Sequence, residues 1–119
     1  MAEVKWLPQA VDDLDKLDNS IRKRVFQAVK KLTIDPLGYG SPLGHHIGKD
    51  LSSLYKIEPA DGFRIVYAVF KNQLVIITVV GKRADERVYK TAVERIAAVR
   101  ALVGQELEKI SQLTEDIDF

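Results

Sequence analysis

Residues 74–80 read LVIITVV, a run of aliphatic, mostly β-branched side chains broken only by Thr78. A stretch this apolar and this short argues for a central strand that is too hydrophobic to be half-exposed. Such a strand cannot stand alone, so the rest of the chain has to supply its neighbours and its cover. The segment immediately after the run is its opposite in character. Residues 81–90 read GKRADERVYK, with Gly81, Lys82 and Arg83 at once and Tyr89 six residues past the arginine. A strand end that opens into a helix is a rigid base for reactive groups. It is also an ordinary place for surface charge.

The neighbours are legible on the N-terminal side. GFRIVYAVF (62–70) alternates, with Phe63, Ile65, Tyr67 and Val69 on one face and Arg64 and Val66 on the other. SLYKIE (53–58) alternates likewise, and KNQ (71–73) is short enough for a tight connection. Three strands joined this closely form an antiparallel meander. PQAVDDLDKL (8–17) opens with a proline, which a first helical turn tolerates, and spaces Ala10, Leu14 and Leu17 as a helix does. After Asp18, Asn19 and Ser20, all good N-caps, Val25, Ala28, Val29 and Leu32 mark a second helix that ends before Asp35-Pro36. The pair forms a helical hairpin packed on the sheet. EVKW (3–6) suits an edge strand, and the glycine-rich segment 37–51 suits a loop. Beyond Arg83, the residues Val88, Ala92, Val93, Ile96 and Val99 predict a further helix, with Gly104 as its break or C-cap. The fold class expected is α+β: an antiparallel sheet, an N-terminal helical hairpin and a C-terminal helix. The chain divides into a domain over 1–100 and a helical, acidic extension over 101–119.

Composition removes several functions. The chain has 119 residues and no cysteine, so disulfides, thiolate nucleophiles and cysteine-held metals are excluded. No P-loop, dinucleotide fingerprint or nucleophile elbow is present. His45-His46 is a weak metal signal on a loop and reads as solvated, so no metal site and no cofactor are expected. No apolar run approaches the roughly 18–20 residues that span a membrane, and the N-terminus lacks a signal peptide's apolar stretch. A cytoplasmic location with no membrane partner is the expectation. The net charge of +1 hides an asymmetry. Residues 45–90 carry eight Lys/Arg against five Asp/Glu, whereas 91–119 carry three against six. A basic middle suits nucleic acid, although a mixed solvated surface gives the same tally. The acidic tail reads either as a solvated helix end or as a segment that packs back and sets negative charge near the basic site.

Lys56 and Glu58 stand two apart on one strand and so share a face, with Arg64 on the next strand. Lys82 and Arg83 end the central strand, and Tyr89 can lean back from the helix. Cations, a carboxylate and a tyrosine on one sheet face suit a phosphodiester: the cations hold the phosphate and take up its developing charge. One group must take a proton from a ribose 2′-hydroxyl and another must protonate the leaving 5′-oxygen. The plain alternative is a row of strand-edge charges beside a core tyrosine.

Residues 54–96, with GFRIVY, the apolar strand, GKR and then VY in order, resemble the RelE branch of the RelE/ParE toxins of bacterial type II toxin–antitoxin systems. The likeness is close over 50–96, looser over 1–49 and absent after about 100. It implies a microbial-RNase-like fold and a ribosome-dependent endoribonuclease, an mRNA interferase. Such an enzyme cuts mRNA in the A site by metal-free attack of the 2′-hydroxyl on the adjacent phosphate and so inhibits translation. It also implies two kinds of partner: a cognate antitoxin, in a complex that is often of higher order, and the 70S ribosome with its mRNA. Carried over by position, Lys56 matches a lysine that contacts and activates substrate. Arg64 matches an arginine that stabilises the phosphate transition state, and Arg83 one that acts as general acid or charge stabiliser. Tyr89 matches the tyrosine that stacks on the mRNA base. Lys49, Lys82 and Lys90 are the expected auxiliary RNA contacts. One position departs: the best-known pattern has a second lysine, proposed as base, where this chain has Glu58. A carboxylate can serve as that base, or simply as an ion-pair partner of Lys56 or Arg64. Two alternatives remain beside the nuclease: a ParE-like toxin that binds DNA gyrase without cutting RNA, and an inactive relative kept as a binding module.

Overall fold

The computed structural model describes residues 2–46, 49–50, 54–83 and 87–117; for 45–46, 49–50 and 107–117 it describes the backbone only. In chain order the elements are β1 (Glu3–Trp6), α1 (Pro8–Asp15), α2 (Asn19–Ile34), β2 (Ser41–Pro42), β3 (His45–His46), β4 (Lys49–Asp50), β5 (Leu54–Ile57), β6 (Phe63–Phe70), β7 (Leu74–Lys82), α3 (Arg87–Glu94) and α4 (Ile96–Ile117). The main sheet has five strands in the order β1-β7-β6-β5-β2, and β3 and β4 pair separately. The α+β class and the antiparallel meander are as expected. The β6–β7 turn places Lys71 and Asn72 in the left-handed region, at φ 51° and 57°, which suits a tight hairpin between twisted strands.

The apolar run does lie in the middle of the sheet, and every residue from Leu74 to Val80 is buried. Tyr67, Ile65, Val75 and Ile77 pack with Leu7, Ala10, Leu14, Val25, Ala28, Val29 and Leu32 of the hairpin segment. Val66, Val79 and Leu54 pack instead with Val88, Tyr89 and Ala92 of α3. The sheet is thus covered on both faces, which is why its central strand tolerates no polar alternation. Between Val66 and Tyr67 the register with β7 shifts, so that Val66 faces Val79 and Tyr67 faces Ile77. Thr78 is the extra residue of this bulge; its hydroxyl donates to the Ile76 carbonyl at 3.2 Å.

Three features differ from the sequence expectation. The edge strand β1 pairs with β7 in parallel, a direction that a four-residue segment cannot signal by itself. Within the 37–51 loop, Ser41 and Pro42 pair with Lys56 and Tyr55 and extend the sheet by a short edge. The C-terminal helix divides at Arg95, not at Gly104, which lies inside α4. Gly104 is exposed, and a Cβ there would meet nothing within 4 Å, so the helix passes through it at only the small propensity cost of glycine.

Arg95 explains the division. β1 leaves β7 after Trp6, and the freed edge of β7 is closed by side chains instead. The Val80 N–H donates to the Asp13 carboxylate at 3.1 Å, and Arg95 donates to the Thr78 carbonyl at 2.8 Å. Arg95 also grips Asp13 at 2.7 and 3.2 Å. One ion pair therefore satisfies a strand edge and ties α1, β7 and the α3–α4 joint together.

Candidate functional site

Strand alternation and register assemble the site. Lys56 on β5 lies opposite Val66, which lies opposite Val79, so Lys56 points to the face that α3 covers. Glu58 comes two residues later on the same side. Arg64 lies opposite Gly81 on β7, two residues before Arg83. Gly81 is what lets the helix come close: a Cβ there would sit 3.3 Å from Val88 Cγ1 of α3. Arg83 is anchored through its backbone N–H, which donates to the Gly62 carbonyl at 2.9 Å, while its side chain is 54% exposed.

At the centre is one carboxylate oxygen. Glu58 Oε1 accepts from Arg64 Nε at 3.1 Å and from Arg83 Nη1 at 3.1 Å, and lies 3.1 Å from Arg64 Nη2. These bonds, Arg83's first and then Arg64's, hold the Glu58 carboxyl below the usual carboxylate range. At Lys56 the environment works against the charge instead and makes the ammonium a stronger acid than an ordinary lysine. Burial lowers its ammonium pKa from the ordinary lysine value, and the charges of Arg64 and Arg83 add to this against the pull of Glu58. Lys56 Nζ lies 5.7 Å and the Arg64 guanidinium carbon 5.4 Å from the centroid of the Tyr89 ring.

Five expected residues, Lys56, Glu58, Arg64, Arg83 and Tyr89, are thus brought together. Tyr89 differs from expectation in its setting. It is 2% exposed, clustered with Val66, Val79 and Val88, and the two cations flank its ring. A ring so enclosed is a platform for Lys56 and Arg64, not an open face for a base. Glu58 pairs with the two arginines and not with Lys56. Lys82 points away from this cluster into a neighbouring groove that it lines with Arg87, Thr91 and Arg95, and Lys90 is exposed on α3. The side chain of Lys49, like those of His45 and His46, lies outside the described residues.

The cluster opens onto a cavity of about 470 Å³ lined by Lys31, Tyr39, Gly40, Ser41, Lys56, Ile57, Glu58 and Arg64. Lys31 and Tyr39 are not foreseen from the sequence. The signal is slight: an aromatic inside YGSP, whose nearness to Lys56 depends on the two-residue strand β2. Among the described residues no three His, Asp or Glu side chains are placed to hold a metal ion, and no helix is long and apolar enough to cross a membrane.

Known proteins share this architecture. The family described as "Phage derived protein Gp49-like (DUF891)" matches residues 12–101. An Escherichia coli protein named as a RelE-like toxin is 35% identical over 96 residues, covering 79% of this chain and 96% of that one. Among solved structures, the free form of an E. coli toxin RelE mutant with two arginines changed to alanine is similar at TM-score 0.65 and 26% identity. That match covers 81% of this chain and 99% of the other. The RelBE2 toxin–antitoxin complex of Mycobacterium tuberculosis is similar at TM-score 0.59 and 26% identity, over 69% of this chain and 98% of the matched one.

Proposed function

We propose, from the premise that this chain belongs to the Gp49-like, RelE-type toxins of the RelE/ParE superfamily, that it is a ribosome-dependent endoribonuclease. Its substrate is mRNA in the ribosomal A site, and its activity is held in check by a cognate antitoxin. The observation that carries the reading is the single Glu58 oxygen shared by Arg64 and Arg83 beside Lys56. An anion already sits where a phosphate would be held, and a toxin that only bound protein would have no need of one.

The proposed route begins with exchange. The scissile phosphate takes the two guanidiniums from Glu58. Freed of those donors, Glu58 recovers the basicity that they suppress and takes the proton of the ribose 2′-hydroxyl. The 2′-oxygen bonds to the adjacent phosphorus as the bond to the 5′-oxygen breaks. Arg64 and Arg83 stabilise the charge that develops on the non-bridging oxygens. Lys56, with its lowered pKa, is a better proton donor to the leaving 5′-oxygen than a guanidinium, which does not release its proton. The products are a 2′,3′-cyclic phosphate and a 5′-hydroxyl, and every proton is assigned to a side chain. Tyr89 acts from below by fixing Lys56 and Arg64.

The fold alone does not separate this from a ParE-like toxin that inhibits DNA gyrase. Induction in cells, with mRNA 5′ ends mapped alongside the DNA-damage response, distinguishes them. New ends inside translated codons without DNA damage support the nuclease. DNA damage without new ends favours the gyrase poison.

A further inference from the structure

The cavity beside the reaction centre has a second wall, and an unusual residue forms it. Tyr39 is 49% exposed, yet the loop that carries it is tightly held. The Gly38 N–H donates to Asp35 Oδ1 at 2.9 Å, and the buried Tyr67 hydroxyl donates to the Pro36 carbonyl at 3.1 Å. Burial, with Tyr55 and Asp35 adding to it, pushes the Tyr67 hydroxyl up to about 12, so it stays a donor at neutral pH. Gly40 runs against the same hydroxyl, and a Cβ there would collide with it and sit 2.8 Å from the Lys56 carbonyl. None of these restraints uses the Tyr39 ring. The loop is fixed by its backbone and by Tyr67, and it presents the ring to solvent.

The position of that ring is informative. Ser41 pairs directly with Lys56, so Tyr39 is no more than about 7 Å of chain upstream of it. Lys31, exposed on α2, holds its ammonium 5.8 Å from the Tyr39 centroid. Both line the cavity that Lys56, Glu58 and Arg64 also line. Because Tyr89 is enclosed, Tyr39 is the aromatic of this cavity that a base can reach. An exposed ring with a cation beside it, fixed next to a phosphate-handling cluster, has the make-up of a single-strand stacking platform.

We infer that Tyr39 and Lys31 form a nucleotide subsite adjoining the reaction centre, in which the ring stacks on the base next to the cut and the ammonium meets its phosphate. This rests on the ribonuclease reading, whose substrate it locates. A π-face accepts any base, so the subsite contributes affinity without strong sequence preference.

The test is equilibrium binding of a short single-stranded RNA made uncleavable by a 2′-deoxy substitution, run beside ribosome-dependent cleavage. Tyr39→Ala should weaken binding about tenfold or more, similarly for all four bases, while Tyr39→Phe stays near wild type. Lys31→Gln should weaken binding and reduce the salt dependence by about one phosphate contact. Equal binding by folded Tyr39→Ala and wild type overturns the inference, as does wild-type protein that fails to bind the RNA. Unchanged RNA binding together with lost neutralisation by the antitoxin would also overturn it, and would assign the ring to the protein partner. Wild type that binds RNA through Tyr39 yet cuts nothing on the ribosome leaves the subsite standing and sinks the nuclease reading.

Discussion

At the scale of single residues, Glu58 is the position where sequence and geometry add most to each other. Its place two after Lys56 is legible from strand alternation. Its bond to two guanidiniums at 3.1 Å depends on the register of three strands. Glu58→Gln keeps the shape and removes both the charge and the basicity. Single-turnover cleavage should fall by about 10²–10⁴-fold with ribosome binding retained, and cleavage near the wild-type rate would exclude the base role. A pH effect on stability accompanies it. The folded carboxyl titrates below its unfolded value. Its contribution is therefore full above the unfolded glutamate pKa of about 4.3 and is lost as the pH falls through the lower folded value. The stability difference between wild type and Glu58→Gln, measured by denaturant titration, should be level above about pH 5 and shrink in acid. Tyr89 and Tyr39 show what a linear sequence hides. Both are tyrosines near glycine or charge, and only packing reveals that one is a buried platform and the other a surface ring.

At the scale of elements, the periodic segments are legible and the joints are not. α1, α2, β6 and β7 can be read from spacing because each buries a continuous face. Residue type alone puts the division of the last helix at Gly104. It falls at Arg95 because that side chain is drawn to Asp13 and Thr78, far away in sequence. Two substitutions check this. Asp13→Ala leaves a largely buried guanidinium and the Val80 N–H without their carboxylate. It should cost on the order of 2–3 kcal/mol, measured by denaturant unfolding, and a loss under about 0.5 kcal/mol would show that the tie is ornamental. Gly104→Ala sits inside an exposed helix with open space at its Cβ and should stabilise by about 0.4–1 kcal/mol. A destabilisation there would restore the C-cap reading.

At the scale of the whole molecule, the described charges of the basic cluster and of Glu106 lie towards opposite edges of the sheet. The cationic cluster lies on β5, β6 and the end of β7, towards one edge. Glu106, the first acid of the tail, lies against Lys5 of β1 at 3.9 Å, on the opposite edge. Glu3, by hydrogen bond, and Glu106 together raise the Lys5 pKa. The two-way split of charge is visible in the sequence. The place of Glu106 is not, because it depends on β1 crossing to pair with β7. Leu107, Ile110 and Leu113 stand at helical spacing in the tail, and their side chains lie outside the described residues. Glu106 sets its charge beside Lys5, on the far edge of the sheet from Lys56 and Glu58. The proposed function has this cluster perform phosphodiester cleavage on the ribosome. Its most direct test is primer extension on an mRNA being translated by purified 70S ribosomes, with wild-type protein, Arg64→Ala, Arg83→Ala and the double variant. Ribosome-dependent cuts should fall within A-site codons, upstream fragments should end in a 2′,3′-cyclic phosphate, and rates should be lower by about 10²–10³-fold in each single variant. Cuts that persist at the wild-type rate in a well-folded double variant, or no ribosome-dependent cuts by the wild type, would contradict it.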